Sequence, residues 1–277
     1  MEGKKDTMKN LWMKTLVLLA FAACPLYSHA QTPPINGIAH FAFRVSDLDK
    51  ARAFFHKLGF EESFVLTDGG KTSEVFVKIN DRQFIELYPR TGDSQALGWM
   101  HVCFESDALS ALNELYVVHG LKPPSVAKAG AGNLLFSLND PEGRVTEFTQ
   151  YMPGSRHTLD RGKHLGEHRI AEELLGFKLP AADLAAERQF YTKGLGFEAQ
   201  DTQSGVRLRL AGAPHLKIEI HAAKAGDRLQ SLFRVPDAAR AAQQLRALGL
   251  TVIRSRNLVS VADPDGNVFV FEGDQSH

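Results

Sequence analysis

At 277 residues the chain has room for two domains, each with a sizeable core. Lysine plus arginine number 32 and aspartate plus glutamate 32, and no basic stripe with interleaved aromatics occurs, so no nucleic-acid partner is expected. Two cysteines, Cys24 and Cys103, exclude a disulfide framework.

Residues 1–30 read as an export signal. Lys4, Lys5, Lys9 and Lys14 precede the short apolar run TLVLLAFAA, and Ser28-His29-Ala30 offers small residues at the minus-three and minus-one places before Gln31. The run falls short of the roughly 20 apolar residues that a transmembrane helix needs. Cleavage after Ala30 and a periplasmic or secreted protein are therefore expected, with Met8 an alternative start. A lipid anchor on Cys24 is the weaker alternative, because Phe21 suits a lipobox poorly.

From residue 36 onward one pattern occurs four times. Residues 37–45 alternate as a strand does. Ser46, with Asp49 three residues on, is expected to start a helix whose apolar face carries Leu48, Ala51, Phe54, Phe55 and Leu58, with Gly59 closing it. Strands are expected at about 61–67, 72–80 and 82–88, the first two joined through Asp68-Gly69-Gly70. Residues 98–151 repeat this β-α-β-β-β unit, with Ser106 opening the helix and Gly120 closing it. Asp140-Pro141-Glu142-Gly143 turns the chain into the last strand.

After a charged, glycine-containing linker at 153–168, LLGFKLPAADLAAERQFYTKGLGFE and HLKIEIHA mirror the first unit. LQSLFRVPDAARAAQQLRALGL and VADPDGNVFVFEG mirror the second. The expected architecture is α+β: four βαβββ modules forming two paired-module domains, at 36–152 and 169–273.

In the first two modules Glu86 follows His40 by 46 residues, and Glu147 follows His101 by 46. Equal spacing gives the four residues equivalent places, one to a strand. Side chains alternate across a strand, so all four can face one cavity. Two imidazoles and two carboxylates there suit one divalent metal ion: zinc, nickel, cobalt, manganese or iron(II). A charged group inside an apolar strand is costly unless paired or metal-bound.

Period two adds Ala42 and Arg44 to the His40 face and Cys103 to the His101 face. Phe84 and Tyr88 flank Glu86, and Val145 and Thr149 flank Glu147. Arg44, Phe84, Tyr88 and Cys103 are the candidate substrate-contacting residues. An inward Arg44 would favour an anionic group on the substrate, or else pair internally. Cys103 reads more readily as a small packing residue than as a nucleophile. The third module lacks a histidine at the His40 place. The fourth sets Ser231 opposite His101 and Val270 opposite Glu147, so only Glu219, opposite Glu86, survives. Metal is expected in the first domain alone, and only pairing of the first module with the second assembles the full set.

Tandem βαβββ units with His, Glu, His and Glu at these places resemble the vicinal oxygen chelate superfamily. That superfamily holds glyoxalase I, methylmalonyl-CoA epimerase, extradiol dioxygenases and fosfomycin- and bleomycin-resistance proteins. HFAFRVSDLDKARAFF, FIELYP and DPEGRVTEF carry the likeness, which spans most of residues 36–273. It implies a glyoxalase- or epimerase-like lyase or isomerase, whose metal polarises two adjacent oxygens of a small-molecule substrate. Glu86 and Glu147 would then be both ligands and catalytic proton carriers. Two alternatives stay open. One is an extradiol-type dioxygenase with His40, His101 and Glu147 as an iron facial triad, although in two-domain enzymes of that kind the metal sits in the second half. The other is a non-catalytic binding or resistance protein. In glyoxalase I an arginine matching Arg44 contacts glutathione, yet export argues against a substrate confined to the cytosol. A monomer or a homodimer is expected.

His164-Leu165-Gly166-Glu167-His168 matches the H-x-x-E-H pattern of inverted zinc peptidases. That motif needs a stable helix, and here it lies in the linker, so it is read as chance. His157 nearby is expected to lie at the surface, where it could bind metal adventitiously.

Overall fold

Each of the four units folds as β-α-β-β-β in the computed structural model, which describes residues 32–274. The expected export signal, with Cys24, lies outside the described residues. The first module comprises β1 (Gly37–Val45), α1 (Leu48–Lys57), β2 (Glu61–Asp68), β3 (Lys71–Lys78) and β4 (Phe84–Pro89). The second comprises β5 (Gly98–Glu105), α2 (Leu109–Val118), β6 (Ala127–Lys128), β7 (Leu134–Asn139) and β8 (Val145–Gln150). A short helix α3 (Arg156–Leu159) follows. The third module holds β9 (Glu173–Ala181), α4 (Leu184–Gln189) with a π-helical turn at Phe190–Gly194, β10 (Glu198–Asp201), β11 (Gly205–Arg209) and β12 (Lys217–Ala222). The fourth holds β13 (Gln230–Val235), α5 (Ala238–Ala247), β14 (Ile253–Ser255), β15 (Leu258–Ala262) and β16 (Val268–Gly273).

Local chemistry explains the boundaries, with two corrections. Asp47, not Ser46, caps α1, its carboxylate accepting from the Lys50 amide. Ser46 instead donates to Asp265 of the fourth module at 2.5 Å. Ser106 does not cap α2: its hydroxyl accepts from the Ala108 amide, and the helix begins at Leu109 without a side-chain cap. The β2–β3 hairpin turns through Gly69 and Gly70, at φ 55° and 78°, the left-handed pair that a two-residue hairpin turn requires.

The strands form two eight-stranded sheets, ordered β2-β3-β4-β1-β5-β8-β7-β6 and β10-β11-β12-β9-β13-β16-β15-β14. In the first sheet β1 runs parallel to β4 and antiparallel to β5, so the first module pairs with the second. The second sheet joins the third module to the fourth in the same way, through β9 and β13. Ala39 is skipped in the β1–β5 ladder, and Leu175 at the equivalent place of β9–β13. Such a bulge re-aims the side chains beside it.

One face of β1 carries His40 and Ala42, and the other Phe41 and Phe43. That second face packs on the other half of the chain: Phe43 lies 5.4 Å from Phe269 and Phe41 6.3 Å from Phe177, ring centre to ring centre. Phe54 and Phe55 of α1 meet the same Phe269 at 5.6 and 5.4 Å. One contiguous apolar core therefore spans both sheets, leaving the His40 face free for chemistry.

The segment after β8 is more than a connection. Ser155 caps α3, accepting from the Thr158 amide. Lys78 is fully buried and donates to the Asp160 carbonyl and carboxylate at 2.5 and 3.0 Å. The Gly162 amide donates to Asp81 at 2.8 Å. These bonds seat α3 on the first sheet and bury His157, which is 4% exposed, contrary to its expected surface position. No helix carries His164 and His168: both lie in turns, with His164 at φ 52° and bonded to Asp160. The peptidase-like pattern has nothing to hold it in register.

Candidate metal centre

The parallel β1–β4 register sets Ala42 beside Glu86, and the β5–β8 register sets Cys103 beside Glu147. Each glutamate is thereby one pleat along from the histidine of its own module and on the same face. The β1–β5 ladder, with Ala42 opposite His101, closes the set. His40 Nε2 lies 3.0 Å from His101 Nε2 and 3.4 Å from Glu147 Oε1. Glu86 Oε2 lies 3.8 Å from His101 Nε2, and Glu86 Oε1 lies 3.1 Å from His40 Nδ1. Despite that last distance, His40 Nδ1 lacks the angle of a hydrogen bond and is a buried nitrogen without a partner.

These distances fit a shared cation better than they fit one another. Ligands about 2.1 Å from a metal are about 3.0 Å apart at a right angle and about 3.4 Å apart at the tetrahedral angle. Two imidazole nitrogens facing each other at 3.0 Å have one hydrogen bond at most to share, whereas a divalent ion would take a lone pair from each. His40, His101 and Glu86 converge within 4.8 Å, as do His40, Cys103 and Glu147. The donors present fit a divalent metal, which His40 and His101 would hold with Glu86 and Glu147.

Electrostatics follow from the crowding. Burial pushes the His40 imidazole down, but Glu86 and Glu147 outweigh it and leave His40 above its ordinary value. Burial holds His101 down at about 4. Glu86 is raised, by burial first and by the charge of Glu147 after His40 has offset part of it. Glu147 is lowered: burial raises it, and His40 and His101 more than compensate.

A cavity of 190 Å³ opens beside this cluster, lined by His40, Glu86, Glu147, Tyr88, Phe76 and Tyr151 among others. Of the other expected contacts, only Tyr88 reaches it. Its hydroxyl lies 2.5 Å from Glu74 and 3.1 Å from Glu86. Phe84 is fully buried in the aromatic cluster around His157, 4.7 Å from that ring. Cys103 is fully buried, close to Glu147 but not in the cavity wall. Arg44 is not brought to the cluster; its guanidinium donates to the Ala96 carbonyl at 3.3 Å.

Sequence reasoning missed Glu74, Asn133 and His157, which also line the cavity. Burial and the charge of Glu86 push Glu74 up to about 9. A signal for Glu74 existed: it stands two residues before Phe76, which pairs with Glu86. For His157 no periodicity could have served, because α3 reaches the cavity by tertiary packing alone.

The second sheet has a cleft of its own, of 660 Å³, lined by Lys178, Arg207, Lys217, Glu219 and Glu272 among others. Strand register places Gly176 where His40 stands, Glu219 where Glu86 stands and Val270 where Glu147 stands. Gln230, rather than Ser231, falls opposite the place of His101, because Asp237, the cap of α5, corresponds to Ala108 before α2 and not to Asp107. Ser231 is fully buried.

Residues 37–148 match the family model of the Glyoxalase/Bleomycin resistance protein/Dioxygenase superfamily, and residues 177–271 match that of a Glyoxalase-like domain. The chain belongs to the vicinal oxygen chelate superfamily. Among solved structures it resembles the 2,3-dioxygenase LapB from Pseudomonas sp. KL28, with a TM-score of 0.68 and 18% identity over 89% of this chain and 94% of that one. The Mn(II)-bound glyoxalase from Novosphingobium aromaticivorans gives 0.67 and 16%, over 88% and 83% of the two chains. An extradiol ring-cleaving dioxygenase from B. fuscum gives 0.66 and 16%, over 90% and 74%. At such identities the likeness is one of fold. No curated protein matches the chain by sequence. This vicinal oxygen chelate protein has no helix, among its described residues, long and apolar enough to cross a membrane.

Proposed function

We propose that the protein is a metal-dependent lyase or isomerase acting on a small substrate with two adjacent oxygens. The observation that carries this reading is the fourth donor. Glu86 Oε2 stands 3.8 Å from the His101 nitrogen that faces His40 Nε2, one carboxylate more than a facial triad uses. A bound divalent ion supplies Lewis acidity to the substrate oxygens. Glu86 Oε2, in contact with the Tyr88 hydroxyl at 3.1 Å, is the oxygen placed to exchange a proton with substrate. Glu147 serves chiefly as a ligand. Phe76, Leu66 and Leu135 line the same cavity and keep it apolar away from the donors.

The cavity also sets the charge of the substrate. Glu74, Glu86 and Glu147 line it, and no lysine or arginine does. The charge of the proposed metal ion is already balanced by Glu86 and Glu147, so a carboxylate or phosphate would find no side-chain cation in the cavity wall. The substrate class is therefore compact and uncharged, in place of the anionic one that an inward Arg44 would have favoured.

Hydroxyacetone, neutral and with adjacent oxygens, is a suitable probe. Exchange of its α-hydrogens in D2O, followed by NMR on the metal-loaded full chain, is expected to fall about a hundredfold in Glu86→Gln, with metal retained. Unchanged exchange in that variant contradicts the role of Glu86. Oxygen uptake with catechol that survives Glu86→Gln supports the extradiol-type reading instead.

Export is part of the same proposal. The mature chain should begin at Gln31 when recovered from its native host. An N-terminus at Met1 or Met8 contradicts it.

A further inference from the structure

His157 is buried in an aromatic box. Its ring stacks on Tyr151 at 5.1 Å and meets Phe64, Phe76 and Phe84 edge to face at 5.0, 5.1 and 4.7 Å. It also forms part of the cavity wall that carries His40, Glu86 and Glu147.

One hydrogen-bond chain decides which ring nitrogen bears the proton. The Met152 amide donates to Asn133 Oδ1 at 3.2 Å, which fixes the orientation of the Asn133 side chain. Asn133 Nδ2 is then a donor, and it lies 2.9 Å from His157 Nδ1. His157 Nδ1 accepts, so Nε2 carries the hydrogen. That Nε2 is buried and has no hydrogen-bond partner among the described residues. The one hydroxyl in the box, on Tyr151, is committed to the Arg82 carbonyl at 2.8 Å.

A buried N–H without an acceptor is costly, and a phenylalanine would fill an aromatic box without that cost. The position is nevertheless held firmly. Besides the Lys78 anchor, the Arg156 amide donates to the Ala131 carbonyl at 2.9 Å, and the Arg156 guanidinium to the Val65 carbonyl at 2.5 Å. Burial also lowers His157 to about 3, so the ring stays neutral at neutral pH.

We propose that His157 is a substrate-binding residue: its Nε2–H donates to an oxygen of the uncharged substrate held beside the four-donor cluster. This rests on the metal-site reading above and adds to it a donor delivered by the connecting segment between the two sheets.

Metal-loaded full-length protein titrated at neutral pH with catechol, an uncharged vicinal diol whose ultraviolet absorption changes when its oxygens bind metal, tests the proposal. His157→Phe keeps the ring and removes the N–H, and His157→Gln restores a donor. The expected result is unchanged metal content in both variants, with about tenfold weaker probe binding in His157→Phe and most of it recovered in His157→Gln. Nitrogen-15 NMR of the parent should show a protonated Nε2 whose proton shifts when the probe binds. Probe affinity in His157→Phe equal to that of the parent overturns the proposal while leaving the metal reading intact, as does a proton found on Nδ1. A parent that takes up metal but no probe overturns it as well, and a parent that takes up neither overturns both readings.

Discussion

The two sheets repeat one topology and one bulge, yet their clefts have opposite chemistry. In the first, Glu86 is buried among histidines and other carboxylates, and burial raises its pKa. In the second, Glu219 occupies the same place and is lowered: burial raises it, but Arg207 at 3.0 Å and Lys178 at 3.3 Å more than compensate. The first carboxylate lacks a fixed cation and fits a metal; the second has two side-chain cations. Lys178 stands where the first sheet has Ala42, so a lysine ammonium occupies the space beside the glutamate. The fold tolerates either arrangement because its shared core lies on the opposite faces of the sheets.

The comparison can be broken most forcefully by importing the second cleft's chemistry into the first. Glu147→Val installs the residue found at the equivalent place, Val270. Loss of a ligand should exceed the 10–100-fold cost, on the order of magnitude, of losing a residue that only supports one. Competition with a chelator should show at least a hundredfold weaker metal binding, with hydroxyacetone exchange lost in parallel. Retained metal would remove Glu147 from the ligand set.

Tyr88→Phe is a milder intrusion. It removes the hydroxyl that links Glu74 to Glu86 and leaves every proposed ligand in place. Exchange should fall about tenfold with metal content unchanged, the scale of one hydrogen bond. A loss of metal would mean that Tyr88 holds the ligand geometry and not the proton.

A smaller effect concerns stability in acid. His157 titrates near 6.5 when unfolded and at about 3 when folded, so between those values the unfolded chain binds the extra proton. Its contribution is present above pH 6.5 and is lost as pH falls toward 3. The charged groups that act on it are His40, Asp160 and Lys78. Thermal melts from pH 7 down to 4 should show a shallower decline for His157→Phe than for the parent. Parallel curves would mean that His157 is protonated as readily in the fold as outside it.

The reverse intrusion should do least. Glu219→Gln removes the second cleft's remaining carboxylate equivalent to a proposed ligand, and metal content and exchange should stay within about twofold of the parent, as at independent sites. Building a ligand set there faces a steric bar as well, since a Cβ at Gly176 would overlap the Lys217 carbonyl.

Much of this contrast was legible in the sequence. His40, Glu86, His101 and Glu147 announce themselves by equal spacing within alternating strands, and pairing of the first two modules follows from them. Strand alternation also put Tyr88 at the site. It failed for Arg44: the unbroken β1–β4 register sets Arg44 beside Tyr88, two pleats from His40, but its side chain donates to the Ala96 carbonyl instead of reaching the cluster. Matching Asp237 with Asp107, when the residue before α2 is Ala108, misaligned Ser231 with His101 and concealed Gln230. Capping patterns named Ser46 and Ser106 where Asp47 and a bare N-terminus serve. His157 was out of reach, because what seats its segment at the cavity is the burial of Lys78 against Asp160, a contact 82 residues apart in the chain.

The most direct measurement is the metal content of the full chain after loading and desalting, in the parent, in His101→Ala and in Glu219→Gln. One divalent ion per chain in the parent and in Glu219→Gln, and none in His101→Ala, is the predicted result. Stoichiometric metal that persists in His101→Ala, or disappears in Glu219→Gln, would contradict the assignment of the metal to the first sheet.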